Sequence, residues 1–227
     1  MQKILLATVF LGLAACSPKP VAEKADAPAA APAAKPAPAN VPAGAYRLDK
    51  THASLVFTVN HLGFSNYTAA FADFDARLIF DPARPELTTL EATIDPRSLT
   101  LPSPPAGFKD ELVGPQWLNA AQYPAITFKS TKVDVTGVNT ARVTGDFTLH
   151  GVTKPVVLEV TFNGGYAGHP MDPNARIGFS ATGVFKRSDF GIAYGVPAPG
   201  TTMGVGDEVS VVIETEFSGP PLVQKPA

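Results

Sequence analysis

Few residues in this chain have catalytic or metal-binding chemistry to offer. His52, His61, His150 and His169 are scattered through 227 residues without H-x-x-x-H spacing, and the single cysteine, Cys16, stands near the start. A metal site needs several such ligands to converge. These read instead as isolated polar groups with local hydrogen bonds, and no metal is expected. Asp49, His52 and Ser54 lie close together, but a catalytic triad is a geometric arrangement that nearness in sequence does not supply. Gly178-Phe179-Ser180-Ala181-Thr182 comes nearest to a Gly-x-Ser-x-Gly elbow and fails at its last position. The expectation is a protein without enzymatic activity. His61 is a separate case because it shares an apolar face with Leu55, Phe57 and Val59. Such a histidine either hydrogen-bonds to backbone or offers a polar contact to a ligand head group.

The elements that would position these groups are strands. In residues 143–162, Val143, Phe147 and Leu149 alternate with polar residues; after His150-Gly151 the apolar set becomes Val156, Leu158, Val160 and Phe162. Side chains alternate across a strand with a period of two, so this is a hairpin with one oily face on each strand. The pattern recurs along the chain. Leu55 to His61 carries it, as do Phe74, Ala76, Leu78 and Phe80, then Ile126 and Phe128, and then Ile177, Phe179, Ala181 and Phe185. Val209, Val211, Ile213 and Phe217 complete it. Val133 and Val135 fall out of phase with Phe128, which predicts a bulge near Ser130. Residues 97–122 interrupt the pattern, with a turn of helix expected at 108–112 and another starting at Pro115.

About eight strands with short links imply antiparallel order, since parallel pairs need long crossovers. A sandwich and a closed barrel both fit. An eight-stranded barrel either fills with side chains or holds one small ligand.

Both ends of the chain depart from this composition. Lys3, the apolar run 4–13 and Leu13-Ala14-Ala15-Cys16 describe a secretory signal, too short to span a bilayer. Leu-Ala-Ala-Cys also resembles a bacterial lipobox, in which cleavage after residue 15 leaves a lipidated Cys16; an ordinary signal peptide with an incidental cysteine is the alternative. Ser17 in place of Asp resembles the outer-membrane sorting pattern, which would put the protein in the cell envelope, on the periplasmic side. Residues 17–45 hold seven of the 23 prolines and no aromatic residue. They cannot bury enough apolar surface to offset their ordering entropy, and read as an extended tether making no contact with the domain. The domain is expected at 46–218, with a frayed tail at 219–227. A net charge of −2 with no basic run gives no reason to expect nucleic acid.

Four blocks, in order, carry a resemblance. They are Asp49-Lys50-Thr51-His52 ahead of Leu55-Val56-Phe57-Thr58-Val59-Asn60-His61, then Tyr123-Pro124-Ala125-Ile126-Thr127-Phe128-Lys129-Ser130, then residues 145–156, and finally Lys186-Arg187-Ser188-Asp189-Phe190-Gly191-Ile192. Together they resemble the YceI-like, polyisoprenoid-binding family over about residues 46–217. Ala53 stands where members often have Ser, and Gln116-Trp117-Leu118-Asn119 where a Phe-rich pattern is common. The resemblance implies an all-β fold: an antiparallel, eight-stranded, lipocalin-like barrel with a short helical excursion. It also implies a cavity for an isoprenoid or fatty lipid, with Leu55, Phe57, Val59, Phe128, Phe147, Leu149, Leu158, Val160, Phe179, Val211 and Ile213 as its apolar lining and His61 as a polar contact. No cofactor is expected beyond such a lipid. From periodicity alone, the same side chains read better as a packed core, leaving a scaffold or interaction module; the resemblance reverses that reading. Exposed edge strands would permit a homodimer.

The anchor is testable directly. Cys16→Ser should release the protein from membranes into the soluble periplasmic fraction; unchanged membrane association would exclude lipidation at Cys16.

Overall fold

The computed structural model describes residues 40–222, so the signal, Cys16 and most of the tether lie outside the described residues. Ten strands and one helix follow in order: β1 (Gly44–His61), β2 (Ser65–Phe71), β3 (Phe74–Phe80), β4 (Thr89–Ile94), β5 (Leu99–Thr100), α1 (Phe108–Val113), β6 (Ile126–Val135), β7 (Thr140–Leu149), β8 (Val152–Tyr166), β9 (Asn174–Lys186) and β10 (Val205–Pro221). Every pairing is antiparallel, and β10 pairs with β1 as well as with β9. The sheet is therefore a closed barrel.

Ten strands make eight staves. β2 pairs with the second half of β1 (Leu55↔Phe71) and β3 with its first residues (Arg47↔Arg77), so β2 and β3 are one stave broken at Ala72-Asp73. β4 and β5 are likewise one stave broken by a 3-10 turn at Pro96–Ser98, which Asp95 caps by accepting from the Arg97 amide at 2.8 Å. β1 itself shifts register between Leu48 and Ala53. The three breaks lie side by side and are tied together. Lys50 Nζ donates to Asp73 at 2.8 Å, the Ala72 amide to the Ser98 carbonyl, and the Asp95 amide to the Asp73 carbonyl.

Up-and-down order sorts the connections to two ends. The upper end holds the β1–β2 turn, the long excursion between β5 and β6, the β7–β8 turn and the β9–β10 loop. The lower end holds both described termini and the connections β3–β4, β6–β7 and β8–β9. The β7–β8 turn is two residues long, with φ of 52° at His150 and 76° at Gly151. Positive φ at both central residues is the twist a tight hairpin needs. At Gly151 a Cβ would also lie 2.4 Å from the Tyr123 ring.

Alternation decides which residues face in. β3 reads buried, exposed, buried throughout, with Phe74, Ala76, Leu78 and Phe80 inward. The expected bulge is present: the β6–β7 register shifts between Ser130 and Lys132. The β4–β6 ladder is short, running over residues 91–94 against 126–129 only; beyond it the Leu90 amide donates to the Ser130 hydroxyl at 2.8 Å.

Four expectations need correction. The tether meets the barrel before residue 46: Val41 is buried in the core and the Tyr46 hydroxyl donates to the Pro42 carbonyl at 2.6 Å. Tyr46 needs an acceptor for its buried hydroxyl and finds it in the incoming chain. The tail does not begin at 219, because Pro221 pairs with Asn174 and the Leu222 amide donates to the Pro173 carbonyl. Residues 115–118 form turns, not a second helix. Finally, closure by β10–β1 reduces the exposed edges, on which a homodimer was expected to rest, to short stretches at β5 and along the second half of β6.

Gly145 faces inward between these strands, and a Cβ there would lie 2.3 Å from the Phe128 ring and 2.7 Å from the Lys129 carbonyl. Gly145→Ala should therefore cost about 1–3 kcal/mol of stability by overpacking, measured by chemical denaturation; a cost near zero would show that Phe128 can move aside freely.

Candidate functional site

The barrel encloses a cavity of about 960 Å³. Its lower part lies beside an aromatic cluster in which Phe80, Phe162 and Phe179 stand 5.3–5.8 Å apart, flanked by Tyr46 and Phe217. Its upper part lies beside a second cluster, Phe147, Phe185 and Phe190, with centroids 5.1–5.5 Å apart. Between them, Leu55, Phe57, Val160, Val211 and Ile213 form the wall, and Phe57 stacks on Phe71 at 5.4 Å. These residues are only half-buried although they face inward, because the space before them is unfilled. Phe128 and Leu158 are the more enclosed, at 6% and 8% exposed.

All twelve residues expected on the cavity wall are there: Leu55, Phe57, Val59, Phe128, Phe147, Leu149, Leu158, Val160, Phe179, Val211, Ile213 and His61. His61 stands at the upper end, exposed, where β1 finishes. The choice left open by periodicity, a packed core or a cavity, is thereby decided in favour of the cavity.

Sequence reasoning missed two groups. The excursion places Leu101, Phe108, Leu112, Trp117 and Leu118 on the upper wall; these residues follow no strand period, so no alternation could assign them. Arg187 is the other. It follows Phe185 by two residues just past the end of β9, so continuing the strand's parity points it inward, and it is 4% exposed. Its Nε donates to the Gly206 carbonyl, its Nη1 to those of Ile192 and Tyr194, and its Nη2 to that of Val205, at 2.7–2.9 Å. Its guanidinium also lies 5.1 Å above the Trp117 ring. Burial pulls its pKa down from the ordinary value, and nearby Asp207 opposes that. The guanidinium thus fastens the β9–β10 loop across the upper end.

The opening block has a different role. Asp49 accepts from the Thr51 amide and hydroxyl at 3.0 and 2.6 Å, and the same carboxylate takes a bond from Arg176 Nη1. His52 Nδ1 lies 3.1 Å from Asp49 and from Thr51, so its bonds go to these and not to Ser54. Arg176 also donates to Asp172 at 3.0 Å, which accepts from the Tyr166 hydroxyl. Asp49, His52 and Glu216 bring potential ligand atoms within 4.8 Å of one another, but Asp49 is already saturated by these donors and neutralised by Arg176. The group pins the bulge of β1 to β9.

The YceI-like domain matches residues 46–217. The chain belongs to the YceI-like family. A UPF0312 protein of Pseudomonas putida strain W619 is 39% identical over 164 residues, 70% of this chain and 80% of that protein. Among solved structures, BcnA of Burkholderia cenocepacia superposes with a TM-score of 0.62 at 27% identity, covering 74% of this chain and 98% of its own. The Campylobacter jejuni YCEI protein gives 0.61 at 30% identity, covering 71% and 90%. A polyisoprenoid binding domain from Saccharophagus degradans gives 0.53 at 15% identity, covering 77% and 98%, a likeness of fold alone.

The Asp49 group carries a pH signature. The bonds from Thr51, then Arg176, then His52 hold its carboxyl well below the usual carboxylate range. The folded state therefore binds this proton less readily than the unfolded chain. The resulting stabilisation is complete above about pH 4 and fades as pH falls through the lowered value. Asp49→Asn should lower stability by about 1–2 kcal/mol at neutral pH. Denaturant titrations should find the gap between the two proteins narrowing below about pH 4; a gap independent of pH would exclude the carboxylate as its source.

Proposed function

We propose that this YceI-like barrel binds a polyisoprenoid or a similar amphiphilic lipid in its cavity, within the cell envelope, as a lipoprotein held by Cys16. The observation that carries the reading is the cavity itself. About 960 Å³ of space is lined by Phe, Leu, Val and Ala, with few polar groups. A hydrocarbon chain has no hydrogen bonds to satisfy and gains most from such a wall. Burying roughly 500 Å² of tail at about 25 cal/mol per Å² gives on the order of 12 kcal/mol before ordering costs. No reacting group is required for binding, storage, transport or sensing of a lipid.

The family supports the same reading. One structural neighbour is a polyisoprenoid binding domain, and although it shares only the fold, that fold is one whose interior can remain unfilled. The signal and Cys16 at the N-terminus support placement on the periplasmic side, at the outer membrane. Among the described residues no helix is long and apolar enough to cross a membrane; the attachment proposed is through a lipidated Cys16.

The test pairs two measurements. Mass spectrometry of an organic extract of the purified protein should find a bound amphiphile. Leu158 faces the cavity and lies against Gly183, where a Cβ would come within 2.7 Å of it. Leu158→Trp should put a ring into vacant space, removing the co-purified lipid while the lipid-free protein loses less than the roughly 1–3 kcal/mol that overpacking costs a filled core. A wild-type extract without lipid, together with strong destabilisation of the variant, would favour a scaffold module instead.

A further inference from the structure

The cavity reaches solvent at two places. Among the described residues that line it, five are exposed: His61 at the upper end, and Pro82, Val135, Gly137 and Val138 together at the lower. The lower four belong to the β3–β4 loop, the end of β6 and the β6–β7 turn. Elsewhere the lower end is filled, by the cluster of Phe80, Phe162 and Phe179 and by Val41 and Tyr46. The opening falls where β4 meets β6, because that ladder stops at the rung between Glu91 and Lys129, an outward ion pair at 3.0 Å. Beyond it no rung joins the two strands, and the small side chains of Val133 and Ala141 line the gap.

The rim of this opening suits hydrocarbon better than water. Ile79, Leu87, Val135 and Val138 stand 48–62% exposed around it, and Ile79 pairs with Thr89, two residues past Leu87. The charges beside them cancel in pairs, Arg84 with Asp81 at 3.0 Å and Lys132 with Asp134 at 2.7 Å, leaving Glu86 unpaired among the described residues. Contiguous exposed apolar residues of this kind mark a contact surface. The chain arrives at the same end. A Cβ on Gly165, near the lower end of β8, would lie 3.0 Å from Val41, and the Tyr46 hydroxyl holds the Pro42 carbonyl. Residues 16–39 therefore lead away from the lower end, and a lipidated Cys16 would hold that end, not the upper, toward the bilayer.

Resting on the lipoprotein and lipid-binding reading, we propose that the lower rim docks on a phospholipid bilayer and that the ligand enters and leaves the cavity there, between the β3–β4 loop and the β6–β7 turn. Ile79, Leu87, Val135 and Val138 enter the boundary between head groups and acyl chains, which sets the opening against hydrocarbon. A lipid then passes from one apolar medium to another without its chain crossing water, the exposure that opposes its transfer. Four side chains give a weak and reversible contact, and the anchor supplies the local concentration that makes it frequent.

The test uses the full-length lipidated protein in vesicles of phosphatidylethanolamine and phosphatidylglycerol. Cys16 is the only cysteine, so once it is lipidated an introduced thiol can be labelled singly. A fluorophore on Val138→Cys should be quenched by nitroxide-bearing lipid about threefold more strongly than one on Phe64→Cys, at the opposite end. Ile79→Asp combined with Leu87→Asp, neither of which lines the cavity, should slow uptake of geranylgeraniol from the vesicles about tenfold. Its affinity for geranylgeraniol delivered in dilute solution, and its melting temperature, should match the wild type. The quenching contrast does not depend on the folding of that double variant. Equal quenching at the two positions, or wild-type uptake by the double variant, would overturn the docking surface while leaving lipid binding intact. A wild type that takes geranylgeraniol from neither source would overturn the lipid-binding reading, and one that does not stay on vesicles the lipoprotein reading, each taking the docking surface with it.

Discussion

When β10 hydrogen-bonds to β1, the sheet closes on itself and acquires an interior of fixed girth. From then on every strand must commit alternate residues to a space whose width is set by eight staves, not by the size of the side chains sent into it. Where Phe80, Phe162 and Phe179 meet, those side chains are large enough to touch across the barrel. At the level of Ala92, Ala181, Val160 and Val211 they are not. The cavity is the difference between the girth that hydrogen bonding requires and the volume that the sequence supplies.

The polar residues near the ring act mostly in its service. Asp49, Arg176 and Asp172 pin a bulge in β1 to the start of β9, and Arg187 collects four carbonyls, two from the loop that crosses the upper end and two from the start of β10. Motif residues that look catalytic in a linear reading, such as Asp49 and His52, are thus occupied in holding backbone. Arg187 fastens backbone while also lining the cavity.

The strands were legible because their chemistry is periodic. Phe147 and Leu149 in β7, like Leu158 and Val160 in β8, could be assigned to the inner face by counting in twos, and the slip at Ser130 could be assigned to a bulge the same way. Whether that inner face would touch itself or leave a void was not legible, since alternation carries no information about girth. The excursion was opaque for a related reason: Phe108, Leu112 and Trp117 reach the cavity from irregular backbone, where position in sequence does not set direction. Val41 shows a third limit. A single valine among prolines and alanines has no pattern, yet it finds a place in the core because Tyr46 fastens the chain beside it.

The brevity of the ladder between β4 and β6 has a kinetic meaning. Opening a seam costs the rungs that cross it, and here the rungs stop at residues 91 and 129, whereas β9 and β10 remain zipped over nearly their whole lengths. Local opening follows the route with fewest bonds to break. The amide protons of Leu90 to Ile94 should therefore be among the first in the barrel wall to trade with solvent deuterium. The same slit, flanked by Leu87 and Val135 with their side chains half in water, is where the wall can part without the ring coming undone.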